Sequence, residues 1–446
     1  MNKILLYIML CVAFCMQSQS KFNFLKGVHK QDVRFKMVNN LIVVPINVNG
    51  KELSFILDTG VNKTVLFNLT QNDSITLNNK RKIFIKGLGE GEPAEAILSR
   101  GNRFRIENLL GTNQEVFVIL HDEFNLSAKM GVTINGIIGY DLLKDVVLKI
   151  NYTSEKLTFY KPSKYKEPRC RSCERLKLEF YKKKPYIDVG IQVDEEGNFV
   201  PVKMLVDSGG SDAMWLFEGS NREIKTPEKF FVDILGVGLS GTIYGKRSRI
   251  NTLKLGKFKI KKPTVSFLDT LATKDARKFG KRNGSIGGNV LSRFKVWVDY
   301  PNKKIMLKKS GSLTGFYYNM SGLHVVHDGL ELVKLQGSSL VSSVDKDSFG
   351  GNRGATTKKV ISFVTSYSYK FRPSYKIESV VKDSPAFRAG IEKDDIILSI
   401  NGKPFYEYTL ETITSLFQLK PNKKIKMVVK RGIVELKYEF RLEPRI

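Results

Sequence analysis

Short apolar or alternating runs recur along residues 30–310 and predict a mostly β region. Asn-Gly, Gly and Asn/Asp turns separate several of them, as expected for strands joined by tight connections. The strands predicted in the first half are Leu41–Val48, Leu53–Leu57, Lys82–Ile85, Val116–Leu120, Val146–Ile150 and Lys156–Tyr160. The second half repeats the pattern with Tyr186–Val193, Val202–Val206, Thr264–Phe267 and Val296–Asp299. Helical signal is confined to short stretches such as Asp141–Lys144.

An internal repeat organises the same region. The sequence NGIIGYDLL at 135–143 aligns with NGSIGGNVL at 283–291, an offset of 148 residues. Upstream, FILDTG at 55–60 matches MLVDSG at 204–209 with an offset of 149. Two collinear blocks at one spacing indicate two homologous lobes. We place the lobes at about 30–160 and 176–310, joined by a linker at 161–175 that is rich in Lys, Arg, Pro and Cys.

The candidate chemistry lies at Asp58 and Asp207. Each aspartate follows an apolar strand and precedes a hydroxyl residue and a glycine, which together favour a tight turn. One such motif is weak evidence, because Asp, Thr and Gly are common turn residues. Two copies in pseudo-twofold lobes would meet on the axis. Two adjacent carboxylates share one proton, and such a pair can activate a water and protonate a leaving group.

These motifs resemble the pepsin/retropepsin aspartic protease family over about residues 35–310. The resemblance implies a mostly β core of two lobes, each a retropepsin-like β-barrel, with Asp58 and Asp207 as the catalytic dyad. It implies hydrolysis of a peptide or protein substrate without a cofactor or a metal. The residues expected to support the dyad are Thr59, Gly60, Ser208 and Gly209.

The same family threads a later apolar-apolar-Gly segment beside each aspartate. Both segments are present here, about 80 residues downstream of their aspartates. Ser285 departs from the pattern in the second lobe. The residues expected beside the dyad are Ile137, Ile138, Gly139, Ile286 and Gly287.

Two further departures concern the residues around the dyad. Val61 and Gly210 stand where many pepsin-like enzymes have Ser or Thr, although retropepsins also place a small apolar residue there. The family's flap tyrosine is missing from the first lobe. Gly-rich segments at 86–92 and 236–244 are either flap tips or ordinary β-turns, and Tyr244 is a candidate flap residue.

A different domain follows the repeat, which ends at about residue 312. Tyr375–Val381 alternates like a strand, residues 383–391 predict a turn and a short helix, and Asn401-Gly402 predicts a hairpin turn. A helix at 410–419 and a closing hairpin at 424–440 complete the pattern. The motifs SPAxxAG and DIIxxING resemble an α+β PDZ domain of the type attached to exported bacterial proteases, over about 314–446.

The PDZ resemblance implies a loop that captures the C-terminus of a peptide ligand as the ligand adds a strand to the sheet. The expected residues are Ser321, Gly322 and Leu323, and a simple turn at a strand edge is the alternative interpretation. Residues 337–372 are rich in Ser, Gly, Lys and Thr. We predict that this segment is a disordered insertion, because it is long for a loop.

The N-terminus has the pattern of a signal peptide at 1–20. Lys3 precedes an apolar run at 4–14, and Ser18–Ser20 offers a small-x-small cleavage site. The run is too short to span a bilayer, and no later stretch reaches about 18 apolar residues. We therefore expect an exported protein, periplasmic, in the cell envelope or secreted, without a transmembrane segment. Phe14 before Cys15 argues against a lipoprotein anchor.

Outside the predicted signal peptide, the cysteines are Cys170 and Cys173. Zinc would need two more ligands at suitable spacing, and the histidines provide no such pattern. A redox motif would follow a strand and open a helix, whereas this pair follows a charged, loop-like stretch. A local disulfide in an oxidising compartment is the preferred interpretation.

The net charge is +29, from 73 Lys and Arg against 44 Asp and Glu. This excess fits an acidic partner, an anionic surface or a general lysine-rich composition. The basic residues are spread along the chain, without a zinc finger or an RNP-like motif, so we expect no nucleic-acid partner.

Three functions remain open at this stage. The first is an active exported endopeptidase with a PDZ module that binds substrate or a partner. The second is an inactive protease-like scaffold whose PDZ domain binds peptides, and the third is a binder of anionic surfaces. The two intact aspartate motifs favour the first, because an idle scaffold has no need of two buried acids.

Overall fold

The computed structural model describes residues 20–69, 75–85, 94–120, 126–238, 241–345 and 358–446. Apart from Ser20, the predicted signal peptide lies outside these residues. The chain divides into two compact units. One comprises residues up to Met320 with 418–420 and 444–446, and the other comprises 321–417 and 421–443. No helix in the described part of the chain combines the length and apolar character needed to cross a bilayer.

The first lobe consists of strands and two short helices. Its strands are β1 (Lys21–Phe24), β2 (Lys30–Arg34), β3 (Lys36–Val38), β4 (Leu41–Val48), β5 (Lys51–Leu57), β6 (Val65–Leu66), β7 (Arg81–Ile85), β8 (Ala94–Ile106), β9 (Leu109–Ile119), β10 (Gly136–Ile138), β11 (Val147–Asn151) and β12 (Lys156–Tyr160). The helices are α1 (Leu126–Met130) and α2 (Tyr140–Leu143). Nine strands form one sheet in the order β1-β9-β6-β10-β5-β4-β8-β7, with β3 beside β4 and a further pairing of β8 with β9.

The second lobe repeats this construction. Its strands are β13 (Cys173–Lys177), β14 (Glu179–Tyr181), β15 (Lys184–Gln192), β16 (Val200–Val206), β17 (Met214–Phe217), β18 (Phe231–Gly238), β19 (Gly241–Arg249), β20 (Thr252–Leu255), β21 (Phe258–Lys261), β22 (Thr264–Leu268), β23 (Arg282–Ile286), β24 (Phe294–Asp299) and β25 (Lys304–Lys309). A short helix, α3 (Gly288–Leu291), follows β23. Ten strands form a sheet in the order β18-β19-β22-β17-β23-β16-β15-β20-β21, with β14 beside β15.

A third sheet joins the lobes, in the order β13-β25-β24-β11-β12-β2. Its central pair, β11 and β24, is antiparallel, with Lys149 opposite Trp297. These strands are the repeat equivalents of each other, so the duplicated segments pair across the pseudo-twofold axis. One cluster of buried apolar residues runs through both lobes and includes Phe55, Phe159 and Phe294.

The second unit has its own sheet and helices. Its strands are β26 (Leu323–Asp345), β27 (Lys358–Val380), β28 (Ile396–Ile400), β29 (Lys403–Pro404), β30 (Lys424–Arg431) and β31 (Val434–Arg441), and its helices are α4 (Pro385–Arg388) and α5 (Leu410–Leu416). The sheet order is β26-β27-β28-β30-β31, with β29 beside β28. The Ser384 hydroxyl accepts a hydrogen bond from Phe387 N–H (3.3 Å), which fixes the predicted helix start. The predicted fold class, a two-lobed β core followed by an α+β domain, is confirmed.

The prediction of disorder over 337–372 is wrong for the residues that the structure describes. Residues 337–345 pair in continuous antiparallel register with 358–366, extending the β26–β27 ribbon. The segment between 346 and 357 lies outside the described residues. The error has a physical cause. Tyr and Phe alternate with Ser, Lys and Arg along 367–372, and this period suits an exposed strand despite the polar composition.

Cys170 and Cys173 form the predicted disulfide. Cys173 begins β13 and packs with Trp297 and Met306 at the edge of the sheet that joins the lobes. The described residues contain no group of His, Cys, Asp and Glu side chains suited to a metal ion.

Replacing both cysteines with serine should preserve the fold. The closed loop is very short, so the disulfide restricts little of the unfolded chain, and we expect a loss on the order of 1–2 kcal/mol at most in the free energy of unfolding. Urea unfolding of the full chain and the double variant measures the difference. Loss of the native far-UV circular dichroism spectrum in the variant would contradict this view.

Candidate active site

The two aspartates occupy equivalent positions at the ends of central strands. Asp58 follows β5 and Asp207 follows β16, and the last three residues of each strand are buried. The Asp58 N–H donates to the Ile138 carbonyl (2.8 Å), and the Asp207 N–H donates to the Ile286 carbonyl (3.0 Å). Both side chains line one cleft of about 510 Å³ between the lobes. The structure therefore brings the predicted dyad together.

Four hydrogen bonds lock the two turns to each other. The Thr59 hydroxyl donates to the Val206 carbonyl (2.7 Å) and accepts from the Ser208 N–H (3.0 Å). The Ser208 hydroxyl donates to the Leu57 carbonyl (2.8 Å) and accepts from the Thr59 N–H (3.0 Å). Both hydroxyl residues are only 1% exposed. The arrangement is the reciprocal lock expected of these two residues.

The glycines allow the close approach of the two carboxylates. The Gly60 N–H donates to Asp58 Oδ1 (2.6 Å), which holds that carboxylate against its own turn. A Cβ on Gly209 would overlap the Asp58 carboxyl carbon, which comes from the other lobe. No side chain larger than hydrogen fits at Gly209 without displacing the dyad.

The two later segments thread beside the aspartates as expected. β10 runs parallel to β5, with Ile138 opposite Leu57, and β23 runs parallel to β16, with Ile286 opposite Val206. Ile137 occupies the middle of β10, and Ser285 takes the equivalent place in β23, opposite Leu205.

Gly139 and Gly287 close these two segments. A Cβ on Gly139 would overlap the Asp58 carbonyl oxygen, and one on Gly287 would overlap the Asp212 carbonyl oxygen. The two segments therefore pass too close to the aspartate turns for any other residue.

The residues that depart from the pepsin pattern keep symmetric backbone roles. The Val61 carbonyl accepts from the Tyr140 N–H (3.2 Å), and the Gly210 carbonyl accepts from the Gly288 N–H (2.6 Å). The departures therefore leave the connections between the aspartate turns and the later segments intact.

Burial of the site sets its electrostatics. Desolvation and the charge of Asp207 together raise the pKa of Asp58 to about 7, although the Gly60 N–H and Lys184 act in the opposite direction. An ordinary aspartate is ionised far below pH 7. One proton is thus retained on the pair near neutral pH, and the titration belongs to both residues.

Tyr300 supports the first turn and was not predicted. Its hydroxyl donates to the Thr59 carbonyl (2.9 Å), and burial raises its pKa well above the ordinary value, so it stays a donor. The repeat carried a signal for this residue, because Tyr152 and Tyr300 occupy equivalent places. The two differ in role: the Tyr152 hydroxyl is buried without a hydrogen-bond partner among the described residues.

The flap candidates lie partly outside the described residues. The first candidate, 86–92, lies outside the described residues, as do 239 and 240 of the second. β18 and β19 form a hairpin around the second candidate, with Gly238 opposite Gly241. Tyr244 is 60% exposed on β19. In the described part of the chain it is not among the residues that line the cleft of the dyad.

The PDZ loop residues lie at the start of β26 in the second unit. Ser321, Gly322 and Leu323 are all buried. The Leu323 N–H donates to the Ser321 hydroxyl (3.0 Å), and the Gly322 carbonyl accepts from the Val381 N–H (2.8 Å). Gly322 has φ +81°, and Ser384 fills the space that a Cβ would need. Their role in binding a peptide stays a prediction.

Comparisons with known proteins agree with this geometry. Residues 44–142 match the family model for aspartyl protease, and residues 376–431 match the model for a PDZ domain. The first match includes Asp58 and the segment ending at Gly139, so the assignment of Asp207 rests on the repeat and the symmetric site. No curated protein matches the sequence.

Solved structures also match the chain. One is the aspartic proteinase from Irpex lacteus, 13% identical, with a TM-score of 0.40, covering 63% of this chain and 97% of that chain. By the family models, this chain carries an aspartyl protease domain at 44–142 and a PDZ domain at 376–431.

Proposed function

We propose that the two-lobed unit is an aspartic endopeptidase. The observation that carries the proposal is the meeting of Asp58 and Asp207 in one cleft, with the pKa of Asp58 raised to about 7. Near neutral pH the pair holds one proton and one negative charge. It therefore offers a general base and a general acid a short distance apart.

The reaction follows from this charge state. The ionised carboxylate takes a proton from a water, whose oxygen attacks the peptide carbonyl carbon. The protonated carboxyl donates to the carbonyl oxygen as negative charge develops there. The tetrahedral intermediate then breaks its C–N bond. The departing nitrogen receives a proton from the protonated carboxyl, and one hydroxyl of the intermediate returns a proton to the ionised carboxylate as it becomes the carbonyl of the product. The products are a carboxylic acid and an amine, and the pair returns to its starting protonation.

The second unit is proposed to bind a peptide segment of a substrate or partner. β26 is an edge strand of its sheet, so its outer backbone groups are open to pairing with an added strand. The PDZ family match supports this mode. The inactive-scaffold alternative has less support, because both aspartates line one cleft and the reciprocal Thr59–Ser208 hydrogen bonds beneath them are intact.

We further propose that the protein is exported. The N-terminal pattern supports a signal peptide, and the Cys170–Cys173 disulfide suits an oxidising compartment.

Removal of either carboxylate should abolish peptide cleavage. We expect Asp58→Asn and Asp207→Asn each to lower kcat/KM by at least about a thousandfold, because each leaves the pair without an acid or a base. The double variant should be no worse than either single one, since the pair acts as a unit. Asp188→Asn, at an exposed aspartate on β15, is the matched control and should keep full activity. Cleavage of a peptide library by purified variants measures this, and substantial activity in one single variant would refute the shared mechanism.

Activity should fall as the pH rises through about 7. The pKa of Asp58 lies near this value, so a higher pH removes the proton that the pair needs for its acid role. The profile of kcat/KM against pH on a short peptide gives the apparent values, which belong to the pair. Activity that is constant from pH 5 to about pH 9 would show that the shared proton is not required.

Truncation after Met320 should leave the two-lobed unit folded, because that unit has its own core. We expect cleavage of short peptides to persist and cleavage of full-length protein substrates to weaken. Both rates are compared between the truncated and complete chains. A folded truncated protein that cleaves no short peptide would mean that the PDZ unit contributes to the catalytic machinery.

A further inference from the structure

Two cations line the cleft beside the dyad. Lys184 begins β15, and Arg282 begins β23. β15 and β16 are antiparallel, and Tyr186 lies opposite Leu205. Two residues before Tyr186 and two residues after Leu205, the same register places Lys184 level with Asp207. The same cleft is lined by Asp58, Asp207, Lys184 and Arg282. Both cations thus belong to the second lobe and flank its catalytic aspartate.

The fold does not need these cations. In the β14–β15 turn, Lys182 and Lys183 have positive φ values of 47° and 67°. In the β3–β4 turn of the first lobe, Asn39 and Asn40 have nearly the same values, 48° and 64°. This match makes Leu41 the first-lobe equivalent of Lys184. Leu41 is 6% exposed.

The equivalent of Arg282 is Ile134. Asn135 Oδ1 accepts from the Ser54 N–H (3.1 Å), and Asn283 Oδ1 accepts from the Lys203 N–H (2.8 Å), so the residues before these asparagines correspond. Ile134 is fully buried. The first lobe therefore has the apolar residues Leu41 and Ile134 at the backbone positions that Lys184 and Arg282 occupy in the second lobe.

Keeping the cations in the second lobe costs free energy. Arg282 is 6% exposed, and burial lowers its pKa. Its Nε donates to the Gly284 carbonyl (3.2 Å), and its guanidinium lies 5.0 Å from the Phe217 ring. Burial and Arg282 likewise lower the pKa of Lys184, against the attraction of the dyad. Within the described residues, neither cation has a direct ion pair, so neither is offset by a dedicated carboxylate.

The remaining charges leave the cleft positive. When the dyad holds one proton, the negative groups are one carboxylate of the pair and Asp275, which is already paired with Lys278 (2.6 Å). An aromatic wall continues the site, where Tyr181 stacks on Phe279 with 4.5 Å between ring centroids. The lysines and arginine that line the cleft are Lys182, Lys184, Lys278 and Arg282.

We propose that Lys184 and Arg282 form a subsite for a carboxylate of the substrate, so that the enzyme prefers an Asp or Glu side chain close to the scissile bond. The inference rests on the proposed peptidase function and extends it to substrate class. A substrate carboxylate supplies the anion that the two cations lack, in a partly desolvated site where such a pair is stronger than on the surface. Lys184 and Arg282 are specificity residues, distinct from the dyad that performs the chemistry.

The test compares matched peptides that carry Glu or Gln at each position within three residues of the scissile bond. We expect the wild-type chain to cleave the Glu peptide with a kcat/KM about tenfold higher at one position, the effect of one charge-assisted contact. Lys184→Met should bring the ratio close to unity, and Lys184→Arg should restore most of it. The ratio is taken within each variant, so a change in the dyad's own pKa cancels.

Lys183→Met is the matched control, because Lys183 is not among the described residues that line the cleft. It removes the same charge from the same turn, but its side chain is exposed, and solvent screens it. The ratio should stay at the wild-type value. Arg282→Met should lower the Glu/Gln ratio as Lys184→Met does, provided that thermal denaturation shows that the variant is folded. If the Arg282 variant is unfolded, the Lys184 variants decide the question.

Binding separates this inference from the proposed activity. Peptides with a hydroxyethylene group in place of the scissile bond bind without being cleaved, and their affinities for the full chain are measured by calorimetry in the Glu and Gln forms. If no peptide is cleaved, the peptidase proposal fails, while a Glu preference that Lys184→Met removes still supports the subsite. An equal affinity for both forms overturns the subsite. A Lys184→Met variant that shifts the pH profile but keeps the Glu/Gln ratio also overturns the subsite. A preference confined to peptides with a free C-terminal carboxylate overturns it as well.

Discussion

The reciprocal hydrogen bonds between Thr59 and Ser208 are the constraint on which the rest of the site depends. Each hydroxyl spans the boundary between the lobes and satisfies buried backbone groups on both sides. Neither lobe can therefore position its aspartate alone. Once the turns are locked, Asp58 and Asp207 share one cleft, and burial and mutual repulsion raise the pKa of Asp58. The chemistry thus follows from a structural lock that contains no carboxylate.

Much of this arrangement could be predicted because the dyad imposes the same local demands twice. An apolar strand, an acid, a hydroxyl and a glycine are each required at fixed places, and the later glycines must pass close to the turns. These demands leave a sequence signature in each lobe. Pairing of the repeated strands β11 and β24 follows from the same duplication. In the PDZ unit, the Ser384 cap and the Asn401-Gly402 turn are local signals of comparable strength.

Other features left no local signal. Lys184 lies in a run of three lysines, and nothing in that run distinguishes a cleft residue from a solvated one; the β15–β16 register decides it. Arg282 is buried beside Phe217 and Tyr186, which are distant from it in sequence. For residues 337–372, the content of Ser and Gly predicts disorder, because both residues lower the apparent strand propensity. The strand character of this segment depends instead on cross-strand pairing, such as Phe371 opposite Leu332.

Comparison of the two lobes separates catalysis from recognition. The residues that we propose for the chemistry and its lock, Asp58 with Asp207 and Thr59 with Ser208, are matched across the pseudo-twofold axis, as a water placed between two carboxylates requires. A peptide substrate has direction and no such symmetry, so the residues that recognise it need not match. The lobes differ in this way at two pairs of equivalent backbone positions. The first lobe has Leu41 and Ile134 where the second lobe has Lys184 and Arg282. If the site is a peptidase as proposed, the asymmetric positions around it are therefore where we place its substrate preference.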